Sequence, residues 1–150
     1  MKIGFIGIGV MGTGIINNLR KNNYDVTVYN RTKAHAQTVL DNGAKWADNP
    51  AELTKKVDIL FTMVGFPKDV EDIYFGQDGI LIVAKAGQYI VDMTTSKPSL
   101  VQKIGQIGEE KGLHILDAPV SGRDIGAKNG TLTVMIGAIK KTLIICMIYS

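Results

Sequence analysis

The sequence predicts an α/β domain built on a doubly wound, mostly parallel sheet with helices on both faces. Short apolar runs rich in β-branched residues alternate with segments of helical period. Residues 57–64 (VDILFTMV) are almost continuously apolar, as expected of a parallel strand buried on both faces. A chain of 150 residues with 45% hydrophobic and 21% charged side chains fits one globular domain. Because helices separate the strands, the connections are crossovers and the strands pair in parallel.

Each element follows from local composition. We expect six strands, at Ile3–Ile6, Tyr24–Tyr29, Val57–Val64, Tyr89–Met93, Leu113–Leu116 and Thr131–Ile136. We expect five helices: from a glycine turn through Lys21, from Thr32 toward Asn42, from Asn49-Pro50, over Pro67–Phe75, and from Ser96-Lys97-Pro98 to Lys111. Thr32 suits a helix N-cap, and proline suits the first helical turn. Gly43 and Gly112 suit the left-handed position that follows a helix.

Composition excludes several classes of protein. Seventeen Lys and Arg against fourteen Asp and Glu give a net charge of +3, and the basic residues are spread along the chain, which argues against nucleic-acid binding. Cys146 has no cysteine partner, and His35, His114 and Cys146 lack metal-ligand spacing, so we predict neither a disulfide nor a metal site. No run reaches the ~18 apolar residues that span a bilayer, and the glycine-rich N-terminus is unlike a signal peptide. We expect a cytoplasmic protein without membrane contact.

A glycine fingerprint lies between the first strand and the first helix. Gly7-Ile8-Gly9-Val10-Met11-Gly12 matches GxGxxG, in the strand–turn–helix context that gives this motif its meaning. The first glycine permits the tight turn, the second lets backbone approach a pyrophosphate, and the third lets helix and strand pack closely. The motif therefore predicts a dinucleotide-binding, Rossmann-type domain. A glycine-rich turn without a ligand is the structural alternative.

The end of the second strand predicts which dinucleotide binds. An acidic residue at this place binds the ribose of NAD, whereas an arginine accommodates the 2′-phosphate of NADP. The chain has Asn30-Arg31-Thr32-Lys33 here, without a carboxylate. Arg31 can form a forked pair with the phosphate, and Asn30 and Thr32 can add neutral hydrogen bonds. NADP is therefore preferred over NAD, unless Arg31 and Lys33 are merely solvated residues at a helix start.

Other strand ends add weaker signals. Met63-Val64 follows the buried third strand, where doubly wound sheets bind ligands, although a plain strand end explains these residues equally well. The hydroxyl of Thr95 can contact a nicotinamide ribose or belong to a helix start. The glycine-containing loop after Ser121-Gly122 leaves N–H groups free for a carboxylate. His35 is interpreted as a surface helical residue, because no carboxylate near it in sequence orients it.

Together these segments resemble the 3-hydroxyacid dehydrogenase family, which includes 3-hydroxyisobutyrate dehydrogenase and the glyoxylate and semialdehyde reductases. The resemblance rests on FIGIGVMGTGIINNL, ILFTMV, VDMTTSKP and LDAPVSGRDIGAKNGTLTVMIG, and covers residues 1 to about 137. It implies hydride transfer between a nicotinamide and a short 3-hydroxyacid or aldehyde acid.

The resemblance also implies roles for individual residues. The pyrophosphate would be held by the glycine turn (Gly7, Gly9, Val10, Met11 and Gly12), and the adenosine ribose with its phosphate by Asn30, Arg31 and Thr32. Met63 and Val64 would lie along the cofactor, with Thr95 near the nicotinamide. Ser121 and Gly122 would bind the carboxylate of a small substrate through a hydroxyl and a backbone N–H.

The chain departs from the family pattern in two places. Arg123 stands where the family has a second glycine, and this side chain either crowds the substrate or adds a cation beside its carboxylate. From Ala138 the resemblance ends, before the all-helical domain that carries the catalytic lysine in the family. We therefore expect a dinucleotide-binding domain over residues 1–137 and an atypical apolar tail over 138–150, produced by a frameshift, a truncation or a natural short form.

These departures set the functional expectation. The chain is expected to bind NADPH, to turn over slowly or not at all by itself, and to contain no catalytic residue of its own. Apolar surface left exposed predicts a homo-oligomer. An imine reductase relative and a non-catalytic NADP-binding or scaffold module are the alternatives.

Overall fold

A six-stranded parallel sheet forms the centre of the computed structural model, which describes residues 2–64, 66–93, 98–117, 120–121 and 133–134. The strands of this sheet are β1 (Lys2–Ile6), β2 (Asp25–Tyr29), β3 (Lys45–Trp46), β4 (Ile59–Thr62), β5 (Tyr89–Asp92) and β6 (His114–Asp117). They lie in the order β3-β2-β1-β4-β5-β6, with every pair parallel. A separate antiparallel pair joins β7 (Val120–Ser121) to β8 (Thr133–Val134).

Helices cover both faces of the sheet, as predicted. They are α1 (Val10–Lys21), a 3-10 turn (Lys33–Ala36), α2 (Gln37–Asp41), α3 (Pro50–Lys56), α4 (Pro67–Phe75), α5 (Ile80–Val83) and α6 (Pro98–Lys111). Apolar residues of α1 and α2 pack with Phe5 and Phe61 on one face, whose rings stack 6.1 Å apart. Residues of α3 to α6 pack with Leu60 and Ile90 on the other. Within the described residues, no helix combines the length and the apolar character needed to cross a membrane.

The predicted doubly wound parallel sheet is confirmed, with local corrections. The segment after Thr32 begins as a 3-10 turn rather than an α-helix, and the Thr32 side chain makes no capping hydrogen bond. Three elements were not predicted: β3, α5 and β7. The strands β2, β4 and β5 are shorter than predicted, because the apolar runs continue beyond the last ladder hydrogen bonds, whereas β1 begins one residue earlier and β6 is shifted by one residue. The predicted strand Thr131–Ile136 is described at Thr133–Val134, and its other residues lie outside the described part, as do residues 96–97 at the predicted helix start.

The start of α3 is capped by the side chain of Asn49, at the place where the sequence predicts that this helix begins. The Asn49 Oδ1 accepts a hydrogen bond from the Glu52 N–H at 2.8 Å, and Glu52 in turn accepts one from the Asp48 N–H at 3.1 Å. The hydrogen bond from Lys56 and the Asp48 N–H hold the pKa of Glu52 below its ordinary value. These contacts fix the start of α3, and Pro50 at that start borders the cavity described below.

A buried amide lies at the amino ends of β4 and β5. The Gln88 Nε2 donates to the carbonyls of Thr54 (2.7 Å) and Val57 (2.9 Å), while its Oε1 accepts from the Lys85 N–H (3.1 Å). Gln88 is buried, and all three hydrogen bonds join its side chain to backbone groups of the protein. This residue therefore ties the end of α3 to the turn that begins β5.

Replacing Gln88 tests this tie. Gln88→Met keeps the side-chain volume but leaves buried carbonyls unpaired, so we expect the free energy of unfolding to fall by about 2–3 kcal/mol. Urea denaturation followed by circular dichroism measures the change. Gln106→Met, at an exposed position of α6, is the matched control and should change stability by less than about 0.5 kcal/mol. Equal losses in the two variants would contradict the role of Gln88.

Candidate functional site

The carboxyl ends of five strands lie in one row. The register pairs Tyr29 with Ile6, Ile6 with Thr62, Thr62 with Asp92, and Asp92 with Asp117. The strand order reverses between β1 and β4, because the chain crosses from β3 past β1 to reach β4. Crevices at such a reversal, outside the carboxyl ends, are where open α/β sheets bind ligands. The glycine turn follows β1 at this point.

The three glycines of the turn differ in what surrounds them. A Cβ on Gly7 would lie 1.8 Å from the Met63 carbonyl oxygen, and Gly7 also has a φ of +102°. A Cβ on Gly12 would lie 2.3 Å from the Gly7 carbonyl oxygen. A Cβ on Gly9 would meet no atom within 4 Å. Protein packing therefore requires glycine at positions 7 and 12, whereas at position 9 the missing side chain leaves open space.

The helix that follows is open to an anion. Gly9 is the N-cap of α1, no side chain caps the helix, and its first turn contains no acidic residue. The N–H groups of Val10, Met11 and Gly12 have no acceptor inside the helix, because the first turn of any α-helix lacks one. Free N–H groups and the positive end of the helix dipole suit a phosphate. The space at Gly9 and this helix end fit the pyrophosphate of a dinucleotide.

Asn30 holds the glycine turn in position. Its Oδ1 accepts a hydrogen bond from the Ile8 N–H at 3.1 Å, and its Nδ2 donates to the Thr32 carbonyl at 3.1 Å. The Gly7 N–H also donates to the Tyr29 carbonyl at 3.2 Å. The sequence assigned Asn30 to the ribose of a ligand, and the structure adds a positioning role between β2 and the turn.

A cavity of about 560 Å³ extends from the glycine turn to the end of β2 and across to α4. The sequence-predicted residues that line it are Gly7, Gly9, Asn30, Arg31, Thr32, Met63 and Val64. Val10 is half exposed and borders a neighbouring groove, while Met11 and Gly12 belong to the first turn of α1 and line neither space. Ser121 lies in β7, and Thr95 and Gly122 lie outside the described residues. The structure thus brings most of the predicted cofactor residues to one cavity.

Sequence reasoning missed the wall that α4 contributes. Asp69 and Asp72 line the cavity, and the Asp69 Oδ1 lies 3.5 Å from the Arg31 Nη1. The Arg31 side chain is 82% exposed and that of Asp69 only 20%. In sequence, Asp69 has the pattern of an acidic residue in a first helical turn, and nothing links it to position 31. His35, set aside as a surface residue, is exposed and borders both the cavity and the groove.

Beneath the cavity, a buried polar cluster fixes α4 to the sheet. The Thr62 Oγ1 lies 2.8 Å from the Tyr74 hydroxyl and 3.2 Å from the Asp92 Oδ1, and all three residues are buried. Hydrogen bonds between buried groups constrain geometry strongly. The cluster therefore sets where the first turn of α4 faces the end of β2. Among the described residues, no three His, Cys, Asp or Glu side chains are grouped so as to hold a metal ion.

The family model for the NAD-binding domain of 6-phosphogluconate dehydrogenase matches residues 2–145, and so extends past Ala138. An uncharacterized oxidoreductase of Bacillus subtilis, YkwC, is 52% identical over 97% of this chain and 50% of its own length. A probable 3-hydroxyisobutyrate dehydrogenase-like 1 protein of Arabidopsis thaliana, described as mitochondrial, is 45% identical over 95% of this chain and 43% of its own. The chain spans about half the length of these relatives.

A solved structure described as Psf3 in complex with NADP+ and 2-OPP superposes with a TM-score of 0.89 at 28% identity. The superposition covers 97% of this chain and 54% of the chain in the solved structure. The resemblance to 3-hydroxyacid dehydrogenases that the motifs indicated is confirmed, with this chain corresponding to the nucleotide-binding half. The chain belongs to the family of the NAD-binding domain of 6-phosphogluconate dehydrogenase.

Proposed function

We propose that the chain is the NADP(H)-binding part of an oxidoreductase of the 3-hydroxyacid dehydrogenase type. The observation that carries the cofactor assignment is Gly9, where open space adjoins the uncapped start of α1. Nothing in the described protein requires glycine there, whereas a pyrophosphate close to the backbone does. The reaction class is supported by the relatives, one of which carries the name of a probable 3-hydroxyisobutyrate dehydrogenase-like protein.

Each part of the cavity has a role in this proposal. The N–H groups of the turn from Gly9 to Gly12 would hold the pyrophosphate, and Met63 and Val64 would lie along the cofactor. The bound nicotinamide supplies hydride chemistry. Thr95 would contact its ribose, and Ser121 with Gly122 would bind the carboxylate of a short 3-hydroxyacid or aldehyde acid. Homo-oligomerisation stays a prediction of the same proposal.

Preference for NADP(H) is proposed from the end of β2. This strand is followed by Asn30, Arg31 and Thr32, and no carboxylate stands at the place where NAD-binding domains carry one for the ribose hydroxyls. The exposed guanidinium of Arg31 borders the cavity and can turn toward a 2′-phosphate. The neighbouring Thr32 side chain, which caps no helix, can donate to the same group.

A titration with NADPH and NADH tests the proposal directly. Trp46 lies 5.8 Å from the ring of Tyr29, a cavity residue, so its emission should respond when a nucleotide binds. Calorimetry provides an independent measure of the dissociation constants. Saturable binding of both nucleotides, with NADPH tighter, is the expected result. Failure of both nucleotides to bind would overturn the cofactor assignment.

Gly9→Ala separates ligand contact from protein stability. The added Cβ meets no protein atom within 4 Å and Gly9 has an ordinary negative φ, so we expect an unchanged melting temperature. The same methyl group occupies space near the pyrophosphate, so the affinity for both nucleotides should fall about tenfold or more. Gly105→Ala in α6 is the matched control, since its Cβ also meets nothing. Unchanged nucleotide binding by the Gly9 variant would contradict the role of the turn.

Arg31→Gln tests the preference for the 2′-phosphate. Removing the guanidinium should weaken NADPH binding about tenfold, a modest figure because the side chain is exposed to solvent, and should leave NADH binding unchanged. Lys45→Gln is the control: Lys45 is also exposed and paired with an aspartate, Asp25, at the other end of β2. Equal losses for the two nucleotides would show that Arg31 does not recognise the phosphate.

A further inference from the structure

The guanidinium that the proposed function assigns to the 2′-phosphate already has a carboxylate beside it. We propose that Asp69 is a cofactor-specificity residue, which competes with the 2′-phosphate for Arg31 and so limits the preference for NADP(H) over NAD(H). The inference rests on the proposed function and adds to it a residue from a different element. The Asp69 Oδ1 and the Arg31 Nη1 lie 3.5 Å apart, although 38 positions separate the two residues along the chain.

Asp69 is the fixed member of this pair. It is the third residue of α4, and its backbone N–H donates to the Phe66 carbonyl at 3.0 Å. The helix itself is anchored through fully buried Tyr74, whose hydroxyl contacts Thr62. The Asp69 side chain is only 20% exposed, whereas that of Arg31 is 82% exposed. A phosphate entering the cavity therefore meets a carboxylate that stays in place and an arginine that turns.

The surrounding charges act in the same direction. Asp69, Asp72 and Asp78 are among the residues that line the cavity, and Arg31 is the one Lys or Arg among its described lining residues. A 2′-phosphate adds negative charge to this acidic wall, while the 2′-hydroxyl of NAD adds none. Like charges a few ångströms apart repel even through partly solvated surroundings. Asp69, which is closest to the arginine, contributes both repulsion and competition.

The opposite role for Asp69 would be to hold Arg31 ready for the phosphate. A contact of 3.5 Å with a largely exposed guanidinium fixes its orientation poorly, because exposed ion pairs gain little in water. The two roles predict opposite changes in the affinity for a 2′-phosphate when Asp69 is replaced. Removing a competitor strengthens binding of a 2′-phosphate, and removing a positioning group weakens it.

Asp69→Asn decides between them, with adenosine 2′,5′-bisphosphate and AMP as probes of the adenosine end and NADPH and NADH as whole cofactors. We expect the affinity for the bisphosphate and for NADPH to rise on the order of fivefold to tenfold, with AMP and NADH changed less than twofold. Asp69→Glu keeps the charge and should keep the wild-type ratio. The gain should shrink in 0.5 M salt, since screening weakens the repulsion.

Asp25→Asn is the matched control, because Asp25 forms a similar exposed pair with Lys45 at 3.2 Å, at the start of β2. It should leave all four affinities unchanged. A loss of bisphosphate affinity in Asp69→Asn, or an equal change for bisphosphate and AMP, would overturn the proposal. If Arg31→Gln discriminates like the wild type, the assignment of Arg31 in the proposed function fails, whatever Asp69→Asn does. If no variant binds any of the four nucleotides, both inferences fall together.

Discussion

Gly7 is the point at which three strands and a helix meet, and the site depends on its having no side chain. Its Cβ would lie 1.8 Å from the Met63 carbonyl oxygen, so any other residue would push β4 away from β1. The Gly7 N–H bonds to Tyr29 at the end of β2, and the Met63 N–H bonds to Ile6 at the end of β1. With these ends tied together, the turn has one path by which to enter α1, and that path leaves Gly9 facing open space.

Asn30 shows how a residue proposed to contact a ligand can also hold the site in position. Sequence position places it where a ribose is read in this class of sheet, yet its carboxamide oxygen accepts from Ile8 and its nitrogen donates to Thr32. A side-chain amide supplies acceptor and donor at once, which a carboxylate cannot do. An aspartate at this position could still accept from the turn, but it would lose the donor and bring a negative charge beside Arg31. The neutral amide therefore stabilises the turn and keeps the adenosine end free of one more carboxylate.

The spacing of apolar residues, together with Asn, Pro and Gly at helix ends, predicted the helices and strands that bury an apolar face. The run 57–64 led to β4, and Asn49-Pro50, Pro67 and Gly112 marked helix ends that the structure reproduces. β3 could not be found in this way, because Lys45–Trp46 is two residues long and has neither an apolar run nor an alternation. Thr32 makes no capping hydrogen bond, since a 3-10 turn rather than an α-helix begins at Lys33, and the Lys33 Nζ lies 5.4 Å from the centroid of the Trp46 ring. That contact depends on tertiary structure, which local propensity does not contain.

The candidate site also has one part that local sequence predicts and another part that depends on tertiary structure. The glycine turn is a short run of neighbouring residues, and Arg31 comes just after the end of β2. Local sequence was therefore enough to predict both as parts of the site. The wall opposite them comes from α4, and its distance from β2 is set by the buried contacts of Tyr74 and Thr62. A carboxylate on that wall changes what an arginine on the strand can recognise, because the guanidinium responds to the sum of the charges around it. In the proposed function, nucleotide selectivity is therefore a property of two facing elements, and the residues after β2 specify only one of them.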